Sequence, residues 1–192
     1  MPNKIIIDSL NESLYGIKKV LANKETLEKI EIASALLYET LNSGNKIFSC
    51  GNGGSMCDAM HFAEELSGRF REDRKPLAAI SISDPSFLTC TANDFGYKSV
   101  FSRFVEANAV KNDLVLAITT SGNSENIIEV CKYCNLKGIK VISLTGKLNS
   151  PVSKISNCDI CTPNGNYSDR VQELHGIIIH ILVELVEKKL FA

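Results

Sequence analysis

Apolar positions recur along the chain first at helical spacing and then in short runs. Leu10, Leu14, Ile17 and Leu21 fall on one face of a helix, and Leu27, Ile30, Leu37 and Leu41 on one face of a second. Asn42-Ser43-Gly44-Asn45 supplies the stop for the second helix. Residues 1–44 are therefore expected to form a helical hairpin whose own apolar stripe suits packing against another subunit. From Lys46 the pattern changes. Short apolar runs predict strands at Lys46–Cys50, Ala78–Ser83, Leu114–Thr119, Lys140–Leu144 and Asp159–Thr162. Helical patterns fill the gaps at Ser55–Ser67, Phe87–Asn108, Glu125–Leu136 and Ser168–Lys189, the second of these with room for a break.

Strands alternating with helices imply right-handed crossovers and a parallel sheet covered on both faces. The expected fold is α/β: a doubly wound, flavodoxin-like five-stranded sheet flanked by helices, with ligands at the carboxyl ends of the strands. No internal repeat, low-complexity stretch or linker divides the 192 residues, so 1–192 reads as one domain, with 45–192 as its α/β core and C-terminal helix.

Composition narrows the function classes. A net charge of −1 with 22% charged residues gives no basic patch for nucleic acid. The apolar run Ile5-Ile6-Ile7 is too short for a signal peptide, and Gly176–Val186 is too short and too interrupted, by His180 and Glu184, to cross a bilayer. A cytoplasmic protein that binds neither membrane nor nucleic acid is expected. Seven cysteines in such a chain are expected to be reduced. Cys131/Cys134 and Cys158/Cys161 have metal-like spacing, but Cys158–Cys161 reads as a short strand, where residues three apart point to opposite faces. Core filler and surface residues are the reading here, with a thiolate zinc site as the alternative.

Two loops of small residues lie between a strand and a helix. In Ser49-Cys50-Gly51-Asn52-Gly53-Gly54-Ser55, glycines admit close approach of a ligand, and the helix start offers unpaired N–H groups to an anion. Met56 stands where a dinucleotide fingerprint needs its third glycine, and no lysine precedes Ser55 as a P-loop requires. The second loop, Thr119-Thr120-Ser121-Gly122-Asn123-Ser124-Glu125, sets four hydroxyls around a glycine. Hydroxyls and N–H groups together can saturate a phosphate without lysine or arginine. The plainer role for Ser124 is as the N-cap of the next helix.

The Gly-Asn-Gly-Gly-Ser loop followed by Asp58, His61 and Glu65, then Asn93-Asp94, then Thr-Ser-Gly-Asn-Ser, and finally Gln172 and His180, resembles the sugar isomerase (SIS) domain, and within it the phosphoheptose isomerase family. Thr119 stands where serine is common in that family, and still supplies a hydroxyl. The resemblance implies an aldose–ketose isomerase that converts sedoheptulose 7-phosphate into D-glycero-D-manno-heptose 7-phosphate for bacterial heptose biosynthesis. It implies a homotetramer with active sites near subunit interfaces. Asn52, Gly53, Gly54, Ser55, Glu65, Asn93, Asp94, Thr119, Thr120, Ser121, Ser124 and Gln172 would contact substrate. His61, Glu65, Gln172 and His180 would ligate one zinc ion per subunit, and Glu65 and His180 would be the acid–base pair.

The chemistry suits these residue types. Moving a proton between adjacent carbons through a cis-enediol needs a base, an acid and stabilisation of the developing oxyanion. Glu65 can act on carbon and His180 on oxygen. His61 and Glu65 are about 40° apart around one helix, and Gln172 and His180 about 80° apart around another, so both pairs can face one cleft. His175 matches no motif position and is expected to be structural. Two other readings stay open. One is a non-catalytic SIS relative that binds another protein, such as the one that associates with the bacterial replication initiator, although a scaffold has no need of Glu65 and His180. The other is an isomerase of a different sugar phosphate, since pocket depth sets the chain length accepted. Whether the heptose goes to lipopolysaccharide, capsule or another glycan is equally open at this stage.

Overall fold

A computed structural model describes residues 3–163 and 165–191. Two helices, α1 (Lys4–Ala22) and α2 (Lys24–Asn42), precede strand β1 (Ile47–Gly51). Asn3 and Asn23 cap them, each side chain accepting a backbone N–H of the first turn. Then follow α3 (Gly54–Ser67), β2 (Ala79–Ser81), α4 (Pro85–Phe95), α5 (Val100–Asn108), β3 (Leu114–Thr119), α6 (Glu125–Lys137), β4 (Lys140–Thr145), β5 (Cys158–Cys161) and α7 (Ser168–Phe191). The five strands are all parallel, in the order β2-β1-β3-β4-β5.

Period-2 alternation divides the core into two layers. Leu114, Leu116 and Ile118 of β3 join Phe62 and Leu66 of α3, Ile30 and Leu37 of α2, and Ile178, Leu182 and Val186 of α7 on one face. Val115 and Ala117 of the same strand meet Phe101 and Val105 of α5 and Ile127 and Val130 of α6 on the other. Both faces of β1 and β3 are buried, which is why these strands read as continuous apolar runs. The expected strands are present with ends shifted by a residue or two, except that edge strand β2 is only three residues long. The long helix expected over Phe87–Asn108 is two helices. Gly96, at φ 83°, ends α4, and a 3-10 turn over Tyr97–Ser99 leads into α5. Cys131 and Cys134 are buried against the sheet from α6, and Cys158 sits in the opposite layer.

The N-terminal hairpin docks through α2, while α1 lies on the outside. Only Gly16 of α1 is buried. Arg170 of α7 donates to Glu12 at 3.0 Å, and Ser13 donates to Glu173 at 2.6 Å, tying α1 to α7. Leu10, Leu14, Ile17 and Leu21, the expected stripe, are exposed, as are Ile5, Ile6 and Ile7. Among the described residues, no helix is long and apolar enough to cross a membrane.

His175 is fully buried on α7, and its Nε2–H donates to the carbonyl of Thr145 at 3.3 Å. Burial pushes its pKa down to about 4. The unfolded chain protonates this ring near pH 6.5 and the folded chain does not, so its contribution is full above 6.5 and is lost as pH falls towards 4. Asp58, with a carboxyl pushed up to about 6 by burial, works in the opposite sense. Comparison with His175→Gln isolates the histidine. The stability gap between wild type and variant should narrow by about 2–3 kcal/mol between pH 7 and 4.5 in chemical denaturation, and parallel curves would refute this.

Candidate active site

The strand order reverses at β1, so β1 and β3 are neighbours whose following helices leave to opposite faces. A crevice opens there at their carboxyl ends. It is a cleft of 330 Å³ lined by Asn52, Gly53, Gly54, Ser55, Ile118, Thr119, Thr120, Ser121, Ser124, Ser168 and Gln172. The first turns of α3 and α7 line it, and Ser124, the N-cap of α6, opens onto it, so the positive ends of helix dipoles border the place where an anion would sit. No lysine or arginine lines it.

The loop hydroxyls are arranged by the loop itself. Thr119 Oγ1 accepts from Gly122 N at 3.2 Å, and Ser121 Oγ accepts from Asn123 N at 3.2 Å. Ser124 occupies the N-cap position of α6 but makes no side-chain capping bond, so its hydroxyl is not spent on the helix. It lies 3.4 Å from Thr119 Oγ1. Asn52 is fixed by side chains that sequence reasoning missed. It exchanges two 2.9 Å bonds with Asn126 and accepts from the Tyr97 hydroxyl at 2.8 Å. Ser168 was missed as well, although it stands at the start of α7 where an anion-facing group is favoured; its hydroxyl accepts from Thr120 Oγ1 at 3.3 Å. An adjoining 290 Å³ cavity shares Thr120, Ser121 and Ser168 and brings in Lys19 and Lys147.

A second constellation lies farther down the same two helices. His61 Nε2 is 3.0 Å from Glu65 Oε1 and 3.3 Å from His180 Nε2, and His180 Nε2 is 3.8 Å from Glu65 Oε1. The helical spacing of His61 and Glu65 on α3 and the packing of α3 beside α7 bring them together. Glu65 is mostly covered, with its side chain 15% exposed, whereas those of His61 and His180 are 41% and 46% exposed. Phe70 stacks on His180 with ring centroids 5.8 Å apart. Three residues before His61 on α3, one carboxylate oxygen of Asp58 is buried without a hydrogen-bond partner. Two imidazole nitrogens and a carboxylate oxygen within 4.8 Å of one another can hold a metal ion, and among the described residues no other group of three or more His, Cys, Asp or Glu does so.

The remaining candidates are placed as follows. Gln172 belongs to the cleft: its amide lies over Gly54, and eight residues of helix, about 12 Å of rise, separate it from His180. Asn93 and Asp94 are exposed on the last turn of α4, bonded to each other at 2.7 Å, and do not line the cleft. Seven residues, about 10 Å of rise, separate Gly54 from His61 on α3. The cleft and the trio are therefore two ends of one path along α3 and α7.

A strand-order switch lined by hydroxyls and helix N-termini, with a His–Glu–His trio beyond it, is the arrangement of a sugar-phosphate-binding α/β domain. The SIS domain family model matches residues 14–146. The phosphoheptose isomerase of Aeromonas hydrophila is 48% identical over 190 residues, covering 99% of each chain, and that of Vibrio cholerae is 45% identical over 190 residues, covering 99% of this chain and all of the other. Among solved structures, the phosphoheptose isomerase of Neisseria gonorrhoeae superposes with a TM-score of 0.89 at 31% identity, covering 96% of this chain and 98% of that one. The chain belongs to the phosphoheptose isomerase family of SIS-domain proteins.

A Cβ on Gly54 would meet the Gln172 amide at 2.6–2.8 Å, the movable end of a side chain. Gly54→Ala should therefore fold with little loss of stability but swing Gln172 out of the cleft, weakening sugar-phosphate binding by roughly tenfold, about one lost hydrogen bond. Titration calorimetry beside a thermal melt checks this; unchanged affinity would mean that Gln172 makes no ligand contact.

Proposed function

We propose that this chain interconverts sedoheptulose 7-phosphate and D-glycero-D-manno-heptose 7-phosphate in bacterial heptose biosynthesis. The observation that carries the reading is the pairing of an uncharged, hydroxyl-lined cleft with a His–Glu–His trio about 10 Å along the same helix. That separation is comparable to an extended seven-carbon sugar phosphate. The phosphate sits among Ser55, Thr119, Thr120, Ser121 and Ser124 and the N–H groups of α3 and α6. Asn52, Gly53, Gly54 and Gln172 hold the adjoining carbons, whereas Asn93 and Asp94 stand outside this cleft and would meet substrate only from elsewhere in the assembly. The reacting end reaches Glu65 and His180.

Glu65 takes the proton from C1 of the ketose while the electron pair forms the C1–C2 double bond and His180 protonates the C2 oxygen. In the cis-enediol so formed, the C1 hydroxyl returns its proton to His180. Glu65 then delivers its proton to C2 as the aldose carbonyl forms at C1. No proton is gained or lost over the cycle. His61, Glu65 and His180 suit a single zinc ion, and Gln172 would serve as fourth donor only by leaving its place over Gly54. Zinc bound there would polarise the carbonyl oxygen and stabilise the enediolate. Because the cation lowers the proton affinity of a carboxylate it touches, Glu65 must share the ion loosely to act as base.

Working sites near subunit interfaces, in a tetramer, fit the half-exposed imidazoles of the trio and the uncovered apolar stripe of α1. Covering that stripe removes apolar side chains from water at roughly 25 cal/mol per Å². Light scattering should report a mass near four subunits; a stable, fully active monomer would refute the assembly.

The decisive experiment is an NMR time course with sedoheptulose 7-phosphate, a hexulose 6-phosphate and a pentulose 5-phosphate. The heptose 7-phosphate should appear fastest, and Glu65→Gln should lower turnover by roughly 10²-fold or more with the fold intact. Faster turnover of a shorter sugar would move the assignment to a different sugar phosphate. No turnover of any sugar would leave a binding protein.

A further inference from the structure

The segment 68–78 between α3 and β2 has no helix or strand, yet one buried side chain organises it. The Arg74 side chain is 3% exposed. Its Nη2 donates to the carbonyl of Glu65 at 2.6 Å, and its Nη1 to those of Leu66 at 2.7 Å and Gly68 at 3.2 Å. Its Nε donates to Glu187 Oε1 at 2.6 Å, and that carboxylate is 11% exposed. The last carbonyls of a helix have no partners within it. Arg74 fills those of α3 and places a positive charge at the negative end of its dipole.

The two anchors of this guanidinium lie on the two helices that build the trio. One is the backbone of Glu65 itself. The other, Glu187, is seven residues beyond His180 on α7, within about 20° of it around the axis. The same segment carries Phe70, whose ring stacks on His180. Neighbouring charges are already matched: Glu184 pairs with Arg71 at 2.7 Å and Lys188 at 2.9 Å on the outer side of α7. A buried ion pair contributes little net stability, because desolvation offsets the attraction, but it defines geometry closely when all its donors are satisfied.

We infer that Arg74 and Glu187 are positioning residues: a clamp that sets α3 against α7 and so fixes the spacing of His61, Glu65 and His180. The inference rests on the reading of that trio as the reacting and metal-holding centre.

The test uses the full-length chain in its native assembly, with Arg74→Met, Arg74→Lys and Glu187→Gln. Lys132→Met, which removes the exposed Lys132–Glu129 pair, is the control. The chain has three histidines, so ring-labelled NMR resolves the trio directly, with His175 as internal reference. Without metal, Arg74→Met should shift or broaden the His61 and His180 signals and leave His175 unchanged. Its zinc affinity should fall about tenfold or more, as for lost outer-shell support. Turnover should fall with KM for the sugar phosphate nearly constant, because the phosphate cleft lies at the other end of both helices. Arg74→Lys, which keeps the ion pair but not the fork, should recover part of each loss. If Arg74→Met fails to fold, Glu187→Gln and Arg74→Lys carry the same comparison. Folded variants with wild-type histidine signals and zinc affinity would overturn the clamp, as would equal shifts in all three histidines. His61 and His180 signals that shift in Arg74→Met, with a wild type that binds no zinc, would uphold the clamp and refute the metal reading instead.

Discussion

The reversal of strand order at β1 is the constraint on which the site depends. In a parallel sheet, every helix begins near the carboxyl end of the strand before it. Because β1 and β3 are adjacent and α3 and α6 leave to opposite faces, the two loops diverge and main chain cannot fill the gap between them. The space is left to a ligand, and what faces it is the polar ends of helices. The glycines of the first loop and the hydroxyls of the second are residue types that such a gap accepts, being small, able to donate, and free of formal charge.

That absence of charge shapes the division of labour. A phosphate held by hydroxyls and N–H groups is bound through many short contacts, each dependent on position. Asn52 has its partners in Asn126 and Tyr97, and the Thr119 hydroxyl accepts from the backbone of its own loop, so the cleft is preorganised. The His–Glu–His trio has a different environment. It is half open, it combines two imidazoles with a carboxylate, and Asp58, three residues before His61, keeps a buried oxygen unpartnered. Rigid binding at one end and titratable groups at the other are joined by α3 and α7, which run side by side from the cleft.

Much of this was legible in the sequence, for identifiable reasons. β1, β3 and β4 are covered on both faces and so appear as unbroken apolar runs. The edge strand β2, with one side open, carries a weaker signal and was read too long. The break at Gly96 lay inside a pattern that stayed apolar across it, so periodicity alone did not locate it. Among site residues, the two loops could be read because strand, small residues and helix follow one another directly. The partnership of Asn126 with Asn52, 74 positions apart, leaves no local trace. Arg74 was hidden differently: within Arg69-Phe70-Arg71-Glu72-Asp73-Arg74-Lys75 it looks like one more solvated charge. Only the tertiary structure separates it from its neighbours.

The place of α7 after all five strands has a consequence for how the protein is made. Ile178, Ile179, Leu182, Val183 and Val186 supply much of one core layer, beside α2, which emerges early. A ribosome adding residues from the N-terminus exposes the apolar face of α2, and then that of α3, long before their partner exists. The α5–α6 layer is complete while α7 is still unsynthesised, and can form during translation. The other layer, and with it the meeting of His180 with His61, must wait until α7 has been made. The layer that carries the His–Glu–His trio is thus completed after the other, and the apolar faces of α2 and α3 stay uncovered for that interval.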